Sequence, residues 1–221
     1  KAAMAAARWK YSMLVILMGL ATFASIQTYY NSLHHSGKHC KQIETLHIFQ
    51  FSYIHLMEGK NLYADHLEDH CYTYKYSPAF AVFFGIFNLL PDLPALWLWL
   101  MVTVAVTFWA LRSLPGVAPP RQFLFLVFIS FEGLLCLQAQ QTNLLLASLL
   151  LLGLIFLEKN KYLPATLCIV LTGFIKLFGF GAFLLFLFYP EKWKLALYTL
   201  GWMILLVIVP LVVVSPAHLW Q

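Results

Sequence analysis

The sequence predicts an all-α, polytopic membrane protein whose polar chemistry lies on one side of the bilayer. Hydrophobic residues make up 62% of the 221 and charged residues 10%, whereas a soluble domain is roughly half apolar and about a quarter charged. The apolar residues fall in long runs of the kind that reach the ~20 residues a helix needs to cross hydrocarbon. None alternates with the period of two that a barrel strand would show. Residues 144–157 have no polar face at all, which excludes an amphipathic helix on a soluble core.

Arg8, Trp9 and Lys10 precede the first apolar run, residues 11–30. The run is too long for a signal-peptide core and no small-residue cleavage pattern follows it, so it reads as a retained helix that starts in the cytoplasm. Residues 31–77 form the one long polar stretch and carry seven of the eight histidines and five of the nine acids. The positive-inside rule places this loop outside. Within it Ile43, Leu46, His47, Ile48, Phe51, Ile54, His55 and Met57 mark an amphipathic helix lying near the membrane surface.

Residues 78–91 are apolar but too short for a full crossing, and read as a re-entrant or half-spanning segment. Residues 94–111 then run inward, which puts Arg112 and Arg121 in the cytoplasm. Residues 122–137 run outward, 138–142 lie outside, and 143–157 return to Glu158, Lys159 and Lys161. Residues 162–189 are too long for one span and too short for two. Gly173, Gly179 and Gly181 interrupt them around Lys176, so they read as a broken helical hairpin with both ends inside. Residues 195–214 exit again. Residues 1–221 are read as a single transmembrane domain, with the chain expected to be incomplete at its C-terminus.

The formal charge of +5 comes from basic residues scattered singly in short loops, so it reports topology and not nucleic-acid binding. Of the four cysteines only Cys40 and Cys71 share the polar loop, the one place where a disulfide is expected. Cys136 and Cys168 lie in apolar runs and act as small hydrophobes.

Polar groups inside hydrocarbon are costly and therefore candidates for function. Glu132 and Lys176 qualify, and are expected to form an ion pair that is either functional or a structural lock. Gln138, Gln140, Gln141, Thr142 and Asn143 form an amide cluster suited to sugar hydroxyls or phosphate oxygens, or else to capping two helices. Tyr72, Tyr74, Lys75 and Tyr76 mark where the loop enters the membrane, either as interfacial anchors or as a phosphate and sugar site. His66, Asp69 and His70, beside Cys71, permit a metal, as do His34, His35 and His39. Without a full zinc motif they read as solvated loop histidines, and no metal site is expected. Among the loop carboxylates Glu44 is the one placed to act as a general base.

The run Ile48-Phe49, Ser52, His55-Leu56, Gly59, Asn61-Leu62-Tyr63, followed by Tyr74-Lys75-Tyr76-Ser77-Pro78 and Leu90-Pro91, resembles the first third of glycosyltransferase family 87, the polyprenyl-phosphate mannosyltransferases. Gln140-Gln141-Thr142-Asn143 stands where that family has Gly-Gln-x-Asn, and Ile175-Lys176-Leu177 where it has Ile-Lys-x-x-Pro. The similarity runs over residues 43–193. Three positions depart from the pattern: no Asp stands near Glu44 or Thr45, Gln140 replaces Gly, and Gly179 replaces Pro.

The resemblance implies the amino-terminal module of a GT-C membrane fold in a bacterial-type cytoplasmic membrane. Its site faces outward and moves a hexose or pentose, foremost mannose, from a polyprenyl-phosphate sugar to a glycolipid or glycan acceptor with inversion. Glu44 is then the catalytic base. Lys75 and Lys176, with Tyr74 and Tyr76, bind the lipid phosphate; Gln140, Gln141 and Asn143 bind sugar or phosphate, with Glu132 as a supporting buried charge. The partners are that donor, that acceptor and membrane lipids, with no nucleic acid and no cofactor. Two rivals remain at this stage: a transporter with a Glu132/Lys176 pathway, and a catalytically inactive lipid-binding scaffold.

Overall fold

The computed structural model describes residues 2–34 and 43–215, all helices, turns and loops without a strand among them. His35, His39 and Cys40 lie outside the described residues. Eight α-helices follow in order: α1 (Ala2–His34), α2 (Glu44–Met57), α3 (Pro78–Phe84), α4 (Asp92–Arg112), α5 (Pro119–Gln138), α6 (Asn143–Glu158), α7 (Tyr162–Ile175) and α8 (Lys192–Ile208). Three 3₁₀ segments, Gly85–Leu89, Leu177–Phe188 and Val209–Val212, follow α3, α7 and α8. Four helical stretches are long and apolar enough to cross a membrane: Ala7–His34, Asp92–Arg112, Pro119–Gln138 and Lys192–Val212. The protein is an all-α polytopic membrane protein.

Side-chain contacts set the directions. Trp9 meets Phe123 at 5.0 Å between ring centroids at one end. At the other end Thr28 donates to the Gln138 carbonyl at 3.3 Å and Gln138 Nε2 donates to Gln27 Oε1 at 2.5 Å. Helices α1 and α5 therefore run parallel. Ser148 donates to Thr107 Oγ1 at 2.9 Å and Trp109 packs on Phe156 at 5.8 Å, so α4 and α6 run side by side in one direction. Both polar clamps satisfy hydroxyls and amides that the apolar interior would otherwise penalise.

The segment after α7 folds back as a hairpin. Tyr189 donates to Glu158 Oε1 at 2.7 Å, which returns the second arm to the end where α7 began. A 3₁₀ helix rises about 2.0 Å per residue against 1.5 Å for an α-helix. The 12 residues of Leu177–Phe188 therefore span nearly the same depth as the 14 of α7. The break falls at Lys176, whose extended backbone (φ −137°, ψ 129°) ends α7. The broken hairpin read from the glycines is thus present.

Arg8, Lys10, Arg112, Arg121, Lys159, Lys161, Lys192 and Lys194 all gather at the end opposite the polar loop. At the loop end, α2 lies on α3 and the 3₁₀ turn Gly85–Leu89, which together stop after 12 residues, short of the ~20 a helix needs to cross hydrocarbon. Ser77 caps α3 by accepting from Phe80 N at 3.3 Å, and Pro78 occupies its first turn. On α2 the buried set includes Leu46, His47, Ile48, Phe49, Ser52 and His55, while Ile54 and Met57 are exposed. The amphipathic face expected from sequence is therefore rotated toward Phe49 and Ser52, because α3 and α4 cover that side.

Trp99 anchors this end. It is 0% exposed, and Phe49, Phe80, Phe84 and Phe87 surround it at 5.2–6.1 Å between centroids. Aromatic rings meeting edge to face add to the stabilisation that burial supplies. Trp99→Ala is expected to cost roughly 3–5 kcal/mol and to lower the thermal midpoint of the detergent-solubilised protein. An unchanged midpoint would show that α2 and α3 dock without it.

Candidate active site

Helix α2 separates two cavities. Thr45, Ile48 and Phe49, spaced i, i+3, i+4, line a cleft of about 740 Å³ with Tyr72, Thr73, Lys75, Tyr76, Gln141, Lys176, Leu177 and Phe178. Glu44, His47, Phe51 and Ile54 line a second cavity of about 590 Å³ on the neighbouring flank.

Lys176 stands at the hairpin tip, where its ammonium donates to Asn143 Oδ1 at 2.7 Å. Asn143 in turn donates to Gln141 Oε1 at 2.8 Å. The Lys176 Nζ lies 5.9 Å from the centroids of both Tyr76 and Phe178. Within the loop, the Ser77 amide donates to the Phe174 carbonyl at 3.3 Å, which ties the Tyr76 segment to the end of α7. Burial pushes the Tyr76 phenol upward, so it stays neutral and can donate a hydrogen bond at physiological pH.

The amide cluster is partly recessed, with Gln140 and Thr142 buried and Gln141 and Asn143 exposed. Trp99 donates from its indole nitrogen to the Gln140 carbonyl at 3.3 Å, and Trp99 is about two turns, or about 10 Å, in from the start of α4. Gln140 therefore lies about two helical turns in from the start of α4, while Gln141 beside it is exposed. Helices α6 and α7, at 16 and 14 residues, are shorter than the ~20 needed to span hydrocarbon. Their meeting ends open on the cleft, with Asn143 exposed and Lys176 half-buried.

Tyr74, Gln140 and Glu44, singled out in the sequence, stand apart from this cleft. Tyr74 is buried and donates to the Ser77 carbonyl at 2.7 Å, and burial holds its phenol well above the ordinary tyrosine range. Gln140 is buried and its amide donates to the Gln138 carbonyl at 2.6 Å. Its backbone is left-handed (φ 51°), the conformation glycine adopts freely; this accounts for the Gly of the family pattern at this place. Glu44 opens to the second cavity, and one of its oxygens accepts from the Cys71 amide. Cys71 is disulfide-bonded, while Cys136 and Cys168 are free thiols.

The expected ion pair between Glu132 and Lys176 does not form. Glu132 is exposed on α5, six residues and about 9 Å below the end of its helix, whereas Asn143 lies directly beside the hairpin tip. Nor are the loop histidines simply solvated. His55 and His70 are buried, and His55 meets Asp69 at 2.8 Å. Among the described residues no group of three His, Cys, Asp or Glu is arranged to hold a metal ion.

A cationic, amide-lined cleft in a membrane protein is the setting in which the family comparison becomes decisive. The model of glycosyltransferase family 87 matches residues 72–221, more than half of the chain. The chain belongs to glycosyltransferase family 87. It is a membrane glycosyltransferase that uses a sugar donor and an acceptor. No curated protein and no solved structure matches it.

In this family 87 glycosyltransferase the matched stretch includes Lys75, Tyr76, Gln141, Asn143 and Lys176 but not α2, which carries Glu44. Thr45, Ile48 and Phe49 were not singled out as site residues by sequence reasoning. Their helical spacing was visible, but only the docking of α2 decides that this face looks into the cleft.

Proposed function

We propose that this family 87 glycosyltransferase has a GT-C fold and takes its sugar, foremost mannose among hexoses and pentoses, from a polyprenyl-phosphate carrier. It gives that sugar to a hydroxyl of a glycolipid or glycan on the extracytoplasmic side. The observation that carries the reading is that consecutive residues 174–176 contribute to two surfaces of different character. On one side is the cleft with Lys75 and Lys176. On the other is an apolar groove of about 420 Å³ lined by Phe80, Val102, Leu145, Phe174, Ile175 and Leu206. A ligand with a phosphate head and a prenyl tail fits that junction, whereas a water-soluble donor has no use for the groove. The choice of mannose rests on the resemblance alone.

The chemistry follows from the charges. An acceptor oxygen attacks the anomeric carbon as the bond from that carbon to the phosphate oxygen breaks, so the centre inverts. Glu44 takes the hydroxyl proton, and the polyprenyl phosphate leaves with one more negative charge than it carried in the donor. Lys75 and Lys176 therefore interact more strongly with the transition state than with the ground state, which is the requirement for acceleration. Gln141 and Asn143 hold sugar or phosphate oxygens. Glu44 and Thr45 are consecutive and line the two cavities, which supports Glu44 at the boundary between them. The basic residues at the opposite end support a cleft that faces away from the cytoplasm.

The test is transfer by the reconstituted full-length protein from a radiolabelled polyprenyl-phosphate mannose. Product with the inverted anomeric configuration is expected. Equal transfer from a nucleotide sugar without the lipid carrier would overturn the proposal.

A further inference from the structure

We propose that Asn143 is a positioning residue: it fixes the Lys176 ammonium and the Gln141 amide so that their wall of the cleft offers hydrogen-bond donors alone and selects the phosphate of the donor. The inference rests on the glycosyltransferase reading and divides the work of the two amides. Gln141 meets the phosphate oxygens, and Asn143 acts on them through its two partners.

The ammonium sets the polarity of both amides. A lysine carries three N–H donors and no acceptor, so the Asn143 atom 2.7 Å from Nζ is its oxygen. That turns the Asn143 nitrogen toward Gln141, where at 2.8 Å only the Gln141 oxygen can accept. Gln141 is left with its Nε2 group, which makes no hydrogen bond among the described residues. Turning Asn143 over would set donor against donor at Lys176, and turning Gln141 over would set nitrogen against nitrogen, each leaving hydrogen bonds unmade.

Placement separates the roles. Gln141 and Lys176 line the cleft, whereas Asn143 is not among its lining residues. Asn143 opens α6 and Lys176 caps the end of α7, so one side chain joins the two short helices where the cleft needs a fixed charge. A lysine that is already held gives up less rotamer freedom when a ligand arrives, and preorganised donors need no reorganisation as charge develops.

The resulting wall reads charge and hydrogen-bond polarity together. Lys176 keeps two N–H groups beyond the one given to Asn143, and Gln141 presents its amide nitrogen beside them. Phosphate oxygens accept and are fully served there, whereas the proton of a sugar hydroxyl finds no acceptor on this wall. Among the described residues lining the cleft no carboxylate occurs, while the second cavity has Glu44, Glu68, Asp69 and Asp92. The anionic head therefore belongs to the Lys176 side of α2.

The experiment uses the full-length protein in nanodiscs. Asn143→Leu, close in shape and without polar side-chain atoms, is expected to lower kcat/KM for transfer about tenfold, the effect of losing one hydrogen bond to a charged group. In a Lys176→Met background the same change is expected to cost less than about threefold, because the group it holds is already gone. An equal loss in both backgrounds would mean that Asn143 touches the substrate independently, and overturns the inference. Gln141→Glu keeps an oxygen for Asn143 and replaces the outward donor by an acceptor. It is expected to weaken binding of farnesyl phosphate about tenfold or more, measured by titration calorimetry, with binding of farnesol unchanged. Undiminished binding of farnesyl phosphate overturns the donor-only wall. Both positions are exposed, and thermal midpoints verify the fold, so that either variant decides if the other is destabilised. Transfer that depends on a nucleotide sugar would instead defeat the lipid-carrier reading, and the coupling between Asn143 and Lys176, measured with that donor, would still decide the inference.

Discussion

Replacing Lys176 by Met is expected to lower kcat/KM for transfer from a polyprenyl-phosphate sugar by about 10²–10³-fold, the usual cost of removing one preorganised donor to developing charge. Met keeps the length and apolar stem, so the hairpin tip is preserved while the ammonium is lost. Lys176 is half-buried in the cleft, so its charge is only partly screened by bulk water. Lys176→Arg should recover only part of the rate, because Asn143 Oδ1, 2.7 Å from Nζ, is placed for a compact ammonium and not for a planar fork. The measurement is steady-state transfer with saturating acceptor. Undiminished turnover in Lys176→Met would remove the residue from the donor site, whatever becomes of the other cleft residues.

Gly179→Ala is expected to move the whole tip. A Cβ at this position would lie 2.3 Å from the Thr172 backbone carbon and 2.4 Å from its oxygen, backbone atoms that cannot swing aside. Relief requires the arm Leu177–Phe188 to withdraw from α7, and it carries Lys176 with it. Overpacking of this kind costs roughly 1–3 kcal/mol, and displacement of a positioning group by about 1 Å is enough for about a hundredfold loss of rate. Gly181→Ala is the internal control, since nothing lies within 4 Å of the added Cβ and the residue is exposed. The two variants should therefore diverge in both donor KM and thermal midpoint. Equal behaviour would mean that the close approach at Gly179 does not hold the tip in place.

Much of this architecture was legible before any coordinates. Uninterrupted apolar runs report membrane spans because hydrocarbon forces every backbone group to pair within its own helix, so the helices appear close to where hydropathy places them. Glycines around Lys176 marked the hairpin because chain reversal in an apolar run needs positions without side chains. The cleft was legible only in part. Lys75, Tyr76, Gln141 and Lys176 do line one wall, whereas Tyr74 and Gln140, adjacent to two of them, turn into the core to satisfy backbone carbonyls. Neighbours along a turn point in different directions, and which of them meets solvent depends on how the turn is packed. For Gln140 the deciding fact is a left-handed backbone, and a single sequence does not display φ.

Composition, run length and charge placement were sufficient for the all-α membrane class and the broken hairpin, because each is a property of consecutive residues, and the family came from the resemblance of short motifs. Pairings between distant residues came from packing alone. Lys176 meets Asn143 and not Glu132, since the short α6 and α7 end at the same depth while Glu132 projects from the flank of α5. The partition of the polar loop into one basic cleft and one acidic cavity likewise exists only once α2 docks on Trp99 and its neighbours. Those contacts join elements far apart in the chain, and no local pattern encodes which face of α2 turns toward which wall.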